Sequence, residues 1–335
     1  MSDRRTTIED SFGRVFPYLR LSITDICNFR CSYCLPNGYQ KPEEEKGKKN
    51  VFLTPDEIEN TARAFAEMGM WKLRLTGGEP TLRKDFIEIV ERLNAIEGIE
   101  KLALTTNGYK LPDRAEAFYK AGLRAVNIST DTLDPKKFKD MTGHDRLGDV
   151  LKGVDACLDA GFEAVKINTV LLKQFNGDEL DSFIDFVADK PVTLRFIELM
   201  QTGENMQYFR DEHLPGTAVQ QRLTDRLWNR LDRADGAGPA VEYTHPDSKG
   251  KIGVIAPYAK DFCATCNRLR IEARGKLHLC LFGNGGYDLR PLMQGPEQRE
   301  ELQDKIMDLM KFKRSSHFLH DGDTGSRQHF ASIGG

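Results

Sequence analysis

Between residues 18 and 199 the apolar positions change period again and again. Six short runs, "YLRLSIT", "KLRLTGG", "KLALTTN", "AVNISTD", "AVKINTV" and "TLRFIEL", alternate apolar and polar residues as strands do. The stretches between them carry helical spacing, best marked in "TPDEIENTARAFAEMG". There Thr54 suits the N-cap, Pro55 the first helical position and Glu57 the far side of a capping box, while Gly69 ends the helix. Strands alternating with helices predict βαβ crossovers and a parallel sheet.

Each strand also has one polar face. Arg20, Ser22 and Thr24 alternate with Leu19, Leu21 and Ile23, and Arg74 and Thr76 with Leu73 and Leu75. Asn127, Ser129 and Asp131 alternate with Val126, Ile128 and Thr130, and Lys166 and Asn168 with Val165 and Ile167. A parallel sheet covered by helices on both sides would be apolar throughout. The conflict disappears if the sheet curls into an incomplete (β/α)6 barrel of the TIM type, an α/β fold with helices outside and a polar, ligand-filled cavity inside. An antiparallel sheet with one wet face would alternate in the same way, but the intervening helices argue against it.

After residue 200 the alternation stops. "NMQYFRDEHLPGTAVQQRLTDRLWNRL" contains an amphipathic helix, and "DRADGAGPAVEYTHPDSKGKIG" reads as a boundary with a loop or hairpin. A helical "EQREELQDKIMDLMKFK" and a polar tail ending Gly334-Gly335 complete the chain. We therefore divide it into a barrel at 11–231 and a C-terminal region at 232–335.

A net charge of −3 argues against broad nucleic-acid binding, so any anion site must be a local cluster of cations. No apolar run approaches a membrane span, and Arg4-Arg5 is not followed by the apolar stretch of an export signal. A cytoplasmic location is the expectation, with neither membrane nor nucleic acid as partner.

Six of the seven cysteines fall into two sets, Cys27, Cys31 and Cys34, and Cys263, Cys266 and Cys280. In a reducing compartment such sets read as metal or redox sites. Cys157, among helix-period apolar positions, reads as a core thiol. Three thiolates in "CNFRCSYC" fall one short of a closed zinc site or a fully ligated iron–sulfur cubane. A fourth ligand could arrive from elsewhere, or one metal position could stay open. For the second set, His278 lies two residues before Cys280, so zinc held by three cysteines and this histidine is a sound reading of the residues alone.

The C-x3-C-x2-C pattern with Tyr33 before its last cysteine resembles the signature of radical S-adenosylmethionine (SAM) enzymes, and "GGEP" at 77–80 is similar to their SAM-binding turn. Together with "DFCATCNRLRIEARGKLHLCLF", "TTNGY", "KINTVLL" and "LRFIELM", these motifs resemble the GTP 3′,8-cyclase family of molybdenum cofactor biosynthesis from about residue 12 to the final Gly-Gly. The resemblance implies SAM and two 4Fe–4S clusters, on Cys27, Cys31 and Cys34 and on Cys263, Cys266 and Cys280. The open iron of the first would bind SAM, and that of the second the guanine of GTP. It places Tyr33, Gly78, Ser129 and Met200 at SAM, and Arg20, Arg74, Thr105, Lys166, Arg268, Leu269 and Arg270 at GTP. Lys72 and Arg195 read as further phosphate contacts. The implied partners are a flavodoxin- or ferredoxin-type electron donor, the next enzyme of the pathway (cyclic pyranopterin monophosphate synthase) and, as one option, a second copy of the chain. The family's Gly-Gly end is thought to reach the active site, which gives Gly334 and Gly335 a role.

The polar strand faces support the substrate assignment independently, because Arg20, Lys72, Arg74, Lys166 and Arg195 would all point inward, with Arg268 and Arg270 in "NRLR" beside the second cysteine set. Several cations in one cavity are costly unless an anion neutralises them, and arginine suits phosphate. No phosphate-binding P-loop motif is present, so side chains must hold a triphosphate. Two other readings share parts of this pattern. A peptide-modifying radical SAM enzyme would normally carry more auxiliary cysteines, and a metal-bearing nucleic-acid module leaves "CNFRCSYC" unexplained.

Overall fold

Six strands form where the alternation puts them: β1 (Tyr18–Ser22), β2 (Lys72–Thr76), β3 (Lys101–Thr106), β4 (Ala125–Ser129), β5 (Ala164–Leu171) and β6 (Thr193–Glu198). The computed structural model describes residues 7–48, 51–234, 236–283, 285–325 and 331–333. Between the strands lie α1 (Pro55–Glu67), α2 (Phe86–Asn94), α3 (Leu111–Ala121), α4 (Pro135–Thr142), α5 (Leu147–Asp159) and α6 (Leu180–Ala188). The capping box of α1 is formed from both sides: Thr54 Oγ1 accepts from the Glu57 amide at 3.2 Å, and Glu57 Oε2 from the Thr54 amide at 2.8 Å. Thr54, Pro55 and Glu57 thus act as the sequence predicts.

The single amphipathic helix expected after residue 200 is two, α7 (Met206–Glu212) and α8 (Gly216–Asp225). Pro215 separates them, since a proline lacks the amide donor and disfavours helical backbone in the residue before it. The rest of the chain supplies β7 (Asn229–Arg230), β8 (Val241–Thr244), β9 (Lys251–Ile255), β10 (Arg268–Ile271), β11 (Lys276–His278), β12 (Tyr287–Asp288) and α9 (Arg299–Met310). The glycine- and proline-rich segment forms the expected hairpin, β8 antiparallel to β9.

All strands join one open sheet in the order β12-β11-β10-β1-β2-β3-β4-β5-β6-β9-β8-β7. Strand β10 lies parallel beside β1, and β9 parallel beside β6, so the C-terminal region extends the sheet at both edges. One strand face packs on helices: Leu19, Leu21, Leu73, Leu75, Val126 and Ile128 share a core with Ile58, Phe65, Ile89, Phe118, Val154 and Phe183. Cys157 is fully buried there.

The other face curls around a cavity. Arg195 on β6 feels the charges of Arg74 on β2 and Arg20 on β1. In a flat sheet these strands would lie about 19–24 Å apart, at roughly 4.8 Å per strand. Only a strongly curved sheet brings them into mutual range, which is the incomplete barrel expected from the polar faces. No helix among the described residues is long and apolar enough to cross a membrane.

Candidate functional site

The first cysteine set hangs on the loop after β1, and the "GGEP" turn after β2 sets its path. Gly78 donates its amide to Thr24 O at 2.8 Å, and Glu79 donates to Ile26 O at 2.8 Å. A Cβ at Gly77 (φ +149°) would collide with Thr24 O, and one at Gly78 with the carbonyls of Asp25 and Ile26. These glycines let two backbones lie together immediately before Cys27. Glu79, fully buried, accepts from the Thr81 amide and hydroxyl, the Thr106 hydroxyl and the Asn107 amide, and so ties the turn to β3. Gly78→Ala is therefore expected to push residues 25–26 outward and loosen the thiol loop. Iron bound after anaerobic reconstitution should fall, and SAM affinity should drop at least about tenfold, the equivalent of 1.4 kcal/mol; unchanged iron and affinity would show that the close approach is dispensable.

Burial pushes the Cys27 thiol up to about 11 and the Cys34 thiol up to about 12, and Cys31 higher than its ordinary value as well. Neighbouring negative charge adds to this, because Cys34 and Cys27 raise Cys31, as does Asp131. The three thiols are thus gathered in one pocket, and their thiolate forms call for positive charge from a metal. Three mutually interacting thiols on one loop are a ligand set that an iron–sulfur core could take.

The second set behaves likewise. Burial raises Cys263, with Cys280 and Cys266 adding to the effect. Cys266 is lowered in spite of its burial, because Lys313, Arg268 and Arg14 surround it with positive charge. Arg14 also donates to Cys263 O at 2.9 Å. His278 is engaged elsewhere: Nε2 meets Glu272 Oε2 at 2.8 Å and Nδ1 meets Gly285 O at 2.9 Å. With both ring nitrogens occupied it offers no lone pair to a metal, which removes the histidine from the zinc reading and leaves three thiols.

The cations meet as the strand faces predict. In register across the sheet lie Arg270, Arg20 and Arg74, and next to them Arg268, Tyr18 and Lys72. Arg74 donates Nε to Tyr18 Oη at 2.7 Å, and Nη1 to Leu104 O at 2.7 Å and Thr105 Oγ1 at 3.4 Å. Arg195 grips Asn168 Oδ1 through Nε at 3.0 Å and Nη2 at 2.6 Å, and Lys166 Nζ sits 3.3 Å from Glu242. Burial lowers Arg20 to about 10, Arg195 to about 9 and Lys166 to about 8, and repulsion from neighbouring arginines contributes. Arg20 Nε is buried without a hydrogen-bond partner among the described residues. Crowded cations with an unsatisfied donor are what an anion would relieve. Leu269 differs from its neighbours: its side chain lies in the core opposite Leu19, so only its backbone is available to a ligand.

Sequence reasoning missed Tyr18, Glu242 and Asp131 as site residues. Tyr18 and Asp131 were within reach of it, being in phase with Arg20 and Ser129 on their polar faces. Asp131 accepts from Tyr33 Oη at 2.8 Å and from the Val170 amide at 2.8 Å, and burial raises it to about 6. It holds the Tyr33 ring beside the first thiol set. Ser129 stands in register with Asn168 at the end of β4, and the Met200 carbonyl accepts from Asn205 at 2.9 Å.

A cavity of about 650 Å³ opens at the mouth of the barrel, bordered by Tyr33, Cys34, Asp25, Arg274, Asn205 and Ser332. It lies beside the first thiol set and does not include the cations deeper inside. The turn Ala331–Ile333 packs against β1, with Ile333 fully buried. Gly334 and Gly335 lie outside the described residues.

Two family models match the chain, the Radical SAM superfamily over residues 21–187 and Molybdenum Cofactor Synthesis C over 192–319. The chain is 51% identical over 328 residues to the GTP 3′,8-cyclase of Aeromonas hydrophila subsp. hydrophila, covering 98% of this chain and 96% of the relative. It is 52% identical over 326 residues to the GTP 3′,8-cyclase of Haemophilus influenzae, covering 97% and 96%. Among solved structures, Streptococcus suis SuiB bound to S-adenosylmethionine is similar in fold, with a TM-score of 0.60 at 14% identity over 92% of this chain and 68% of that one.

Proposed function

We propose, on the premise that this chain belongs to the GTP 3′,8-cyclase family of radical SAM enzymes, that it converts GTP to 3′,8-cyclo-7,8-dihydro-GTP, the first step of molybdenum cofactor biosynthesis. The observation that carries this reading to the substrate is the ring of inward cations in the curled sheet, which reaches the second thiol set through Arg268. Cys27, Cys31 and Cys34 would hold one 4Fe–4S cluster and Cys263, Cys266 and Cys280 a second. Held there, the first cluster with SAM would supply the 5′-deoxyadenosyl radical that takes the C3′ hydrogen, and a further electron from the external donor with a proton from solvent would complete the dihydro product.

The chain's own residues do the rest. Arg20, Lys72, Arg74, Thr105, Lys166 and Arg195 hold the triphosphate, and Arg268, Arg270 and the Leu269 backbone hold the nucleoside end near the second cluster. Tyr33, Gly78, Ser129 and Met200 hold SAM, with Asp131 fixing Tyr33. Fixing both ends of GTP keeps ribose C3′ beside the SAM site and guanine C8 facing C3′, so that the hydrogen leaves C3′ and the new bond closes within one nucleotide. Residues 11–231 serve as the radical core and 232–335 as the guanine-side region. A flavodoxin- or ferredoxin-type donor, delivery to cyclic pyranopterin monophosphate synthase, and work in the cytoplasm as a monomer or homodimer complete the proposal.

Its test is isotopic. GTP carrying deuterium at C3′ should pass that deuterium to 5′-deoxyadenosine. Deuterium retained at C3′ while SAM is consumed would overturn the reading.

The tail gives a further expectation. Ser332 borders the cavity and Ile333 is buried, so the chain is at the site's edge up to residue 333. Without side chains the last two glycines can bring backbone amides into a crowded space. Removing Gly334 and Gly335 should leave iron content and GTP affinity nearly unchanged and strongly reduce GTP conversion. Full turnover by the truncated chain would mark the tail as inert.

A further inference from the structure

The cation ring contains an acidic group of its own. Tyr18 opens β1 with its side chain on the face of Arg20, in register between Arg268 on β10 and Lys72 on β2. It is 7% exposed. Its hydroxyl accepts the Nε proton of Arg74 at 2.7 Å, and Lys72 Nζ stands 4.9 Å from its ring centre. Arg74 is thereby fixed at two points, by Tyr18 at Nε and by Leu104 O at Nη1. Its Nη2 has no hydrogen-bond partner among the described residues, so the anchored guanidinium keeps one edge available for an anion.

We propose that Tyr18 is a positioning residue and exchangeable counterion of the triphosphate site: it holds Arg74 in place as a phenolate in the empty enzyme and takes up a proton when the triphosphate arrives. This rests on the proposed GTP site. A cage of buried cations needs negative charge even without substrate, and the sheet supplies two such groups, Glu242 against Lys166 and the Tyr18 oxygen against Arg74.

The groups acting on Tyr18 can be named. Arg74 and Lys72 from β2 and Arg20 from β1 itself favour the phenolate directly. Arg268 from β10 is its register neighbour, Arg270 from β10 and Arg195 from β6 interact with it across the cavity, and Lys101 from β3 lies beyond Lys72. Burial alone would raise the phenol, but the cations outweigh it and bring the group down to about 7. A bound triphosphate reverses the balance, because its charge compensates the same cations and would repel a phenolate beside them. The phenol pKa must then return upward, and a proton is taken from solvent. As a phenol, Tyr18 still accepts from Arg74 and gains a proton to donate to a phosphate oxygen. Lys166, lowered to about 8, takes up a proton on binding for the same reason, so proton uptake has two sources that must be separated.

Calorimetric titration of the reconstituted enzyme with GTP at pH 7.5, in buffers of different ionisation enthalpy, counts the protons taken up. Tyr18→Phe should reduce the count by about three-quarters of a proton per GTP, the ionised fraction at pH 7.5 of a group near 7. It should also weaken GTP binding roughly tenfold while leaving guanosine binding unchanged, since guanosine carries no phosphate. The wild-type enzyme should lose tyrosinate absorbance near 295 nm on GTP addition, and Tyr18→Phe should show no such change; this signal is read from the wild type whatever the variant's stability. Equal proton uptake by wild type and Tyr18→Phe, with no absorbance change, would overturn the role of Tyr18 while leaving the GTP site standing. If the wild type binds GTP no better than guanosine, the triphosphate site itself fails and this inference with it.

Discussion

Replacing Cys27, Cys31 and Cys34 together with alanine is expected to remove about half of the bound iron and all SAM cleavage. The thiols of this set influence one another, and their thiolates are unstable without metal, since burial holds Cys27 and Cys34 at about 11 and 12. The second set has its own environment, with Lys313, Arg268 and Arg14 around Cys266. The converse variant, with alanine at Cys263, Cys266 and Cys280, should keep the other half of the iron and still cleave SAM, but lose productive handling of GTP. Iron analysis and 5′-deoxyadenosine formation under anaerobic conditions check both. Zinc in place of iron at the second set after reconstitution, or SAM cleavage surviving the first triple substitution, would contradict the assignment.

The second large effect concerns the cations. Lys166→Ala, Arg268→Ala and Arg270→Ala should each weaken GTP binding about ten- to a hundredfold, or roughly 1.5–3 kcal/mol per lost charge-assisted contact. SAM binding should change little, because Tyr33 lies on the loop after β1, Gly78 in the turn after β2 and Ser129 at the end of β4, whereas the three cations lie within β5 and β10. Lys166 adds a pH dependence. Its ammonium is present below about 8 in the empty enzyme and is lost as pH rises through that value, so its share of GTP affinity should decline above pH 8. That part of the decline should be missing in Lys166→Ala. Equilibrium binding of GTP across pH measures both effects. Unchanged affinity in all three variants would put GTP elsewhere.

Much of this site could be read from the chain because period and chemistry coincide. Arg20, Arg74, Lys166 and Arg195 fall on the polar phase of strands flanked by helices, and a curved parallel sheet must turn that phase inward. The capping box at Thr54 and Glu57 is a purely local arrangement and formed as expected. Long-range partners were harder. Strands β9 and β10 are short, and nothing local in "KIGVI" or "RLRI" says that one pairs with β6 and the other with β1. Glu242 reaches Lys166 only because β8 folds back on β9, across 76 residues of chain. His278 looked like a metal ligand by spacing, but the turn beyond β11 brings Gly285 O to one ring nitrogen and Glu272 takes the other. Tyr18 was overlooked because a tyrosine at a strand start reads as apolar until its neighbours are known.

The most direct measurement is the product itself. Anaerobic incubation of the reconstituted enzyme with GTP, SAM and a reductant should give one 5′-deoxyadenosine per nucleotide consumed. Removing the C3′ hydrogen, joining C3′ to C8 and adding one electron and one proton leaves the atoms of GTP unchanged in number. The product should therefore have the mass of GTP, a different retention and no aromatic C8 proton. Formation of 5′-deoxyadenosine with GTP recovered intact, or a nucleotide product of altered mass, would contradict the account.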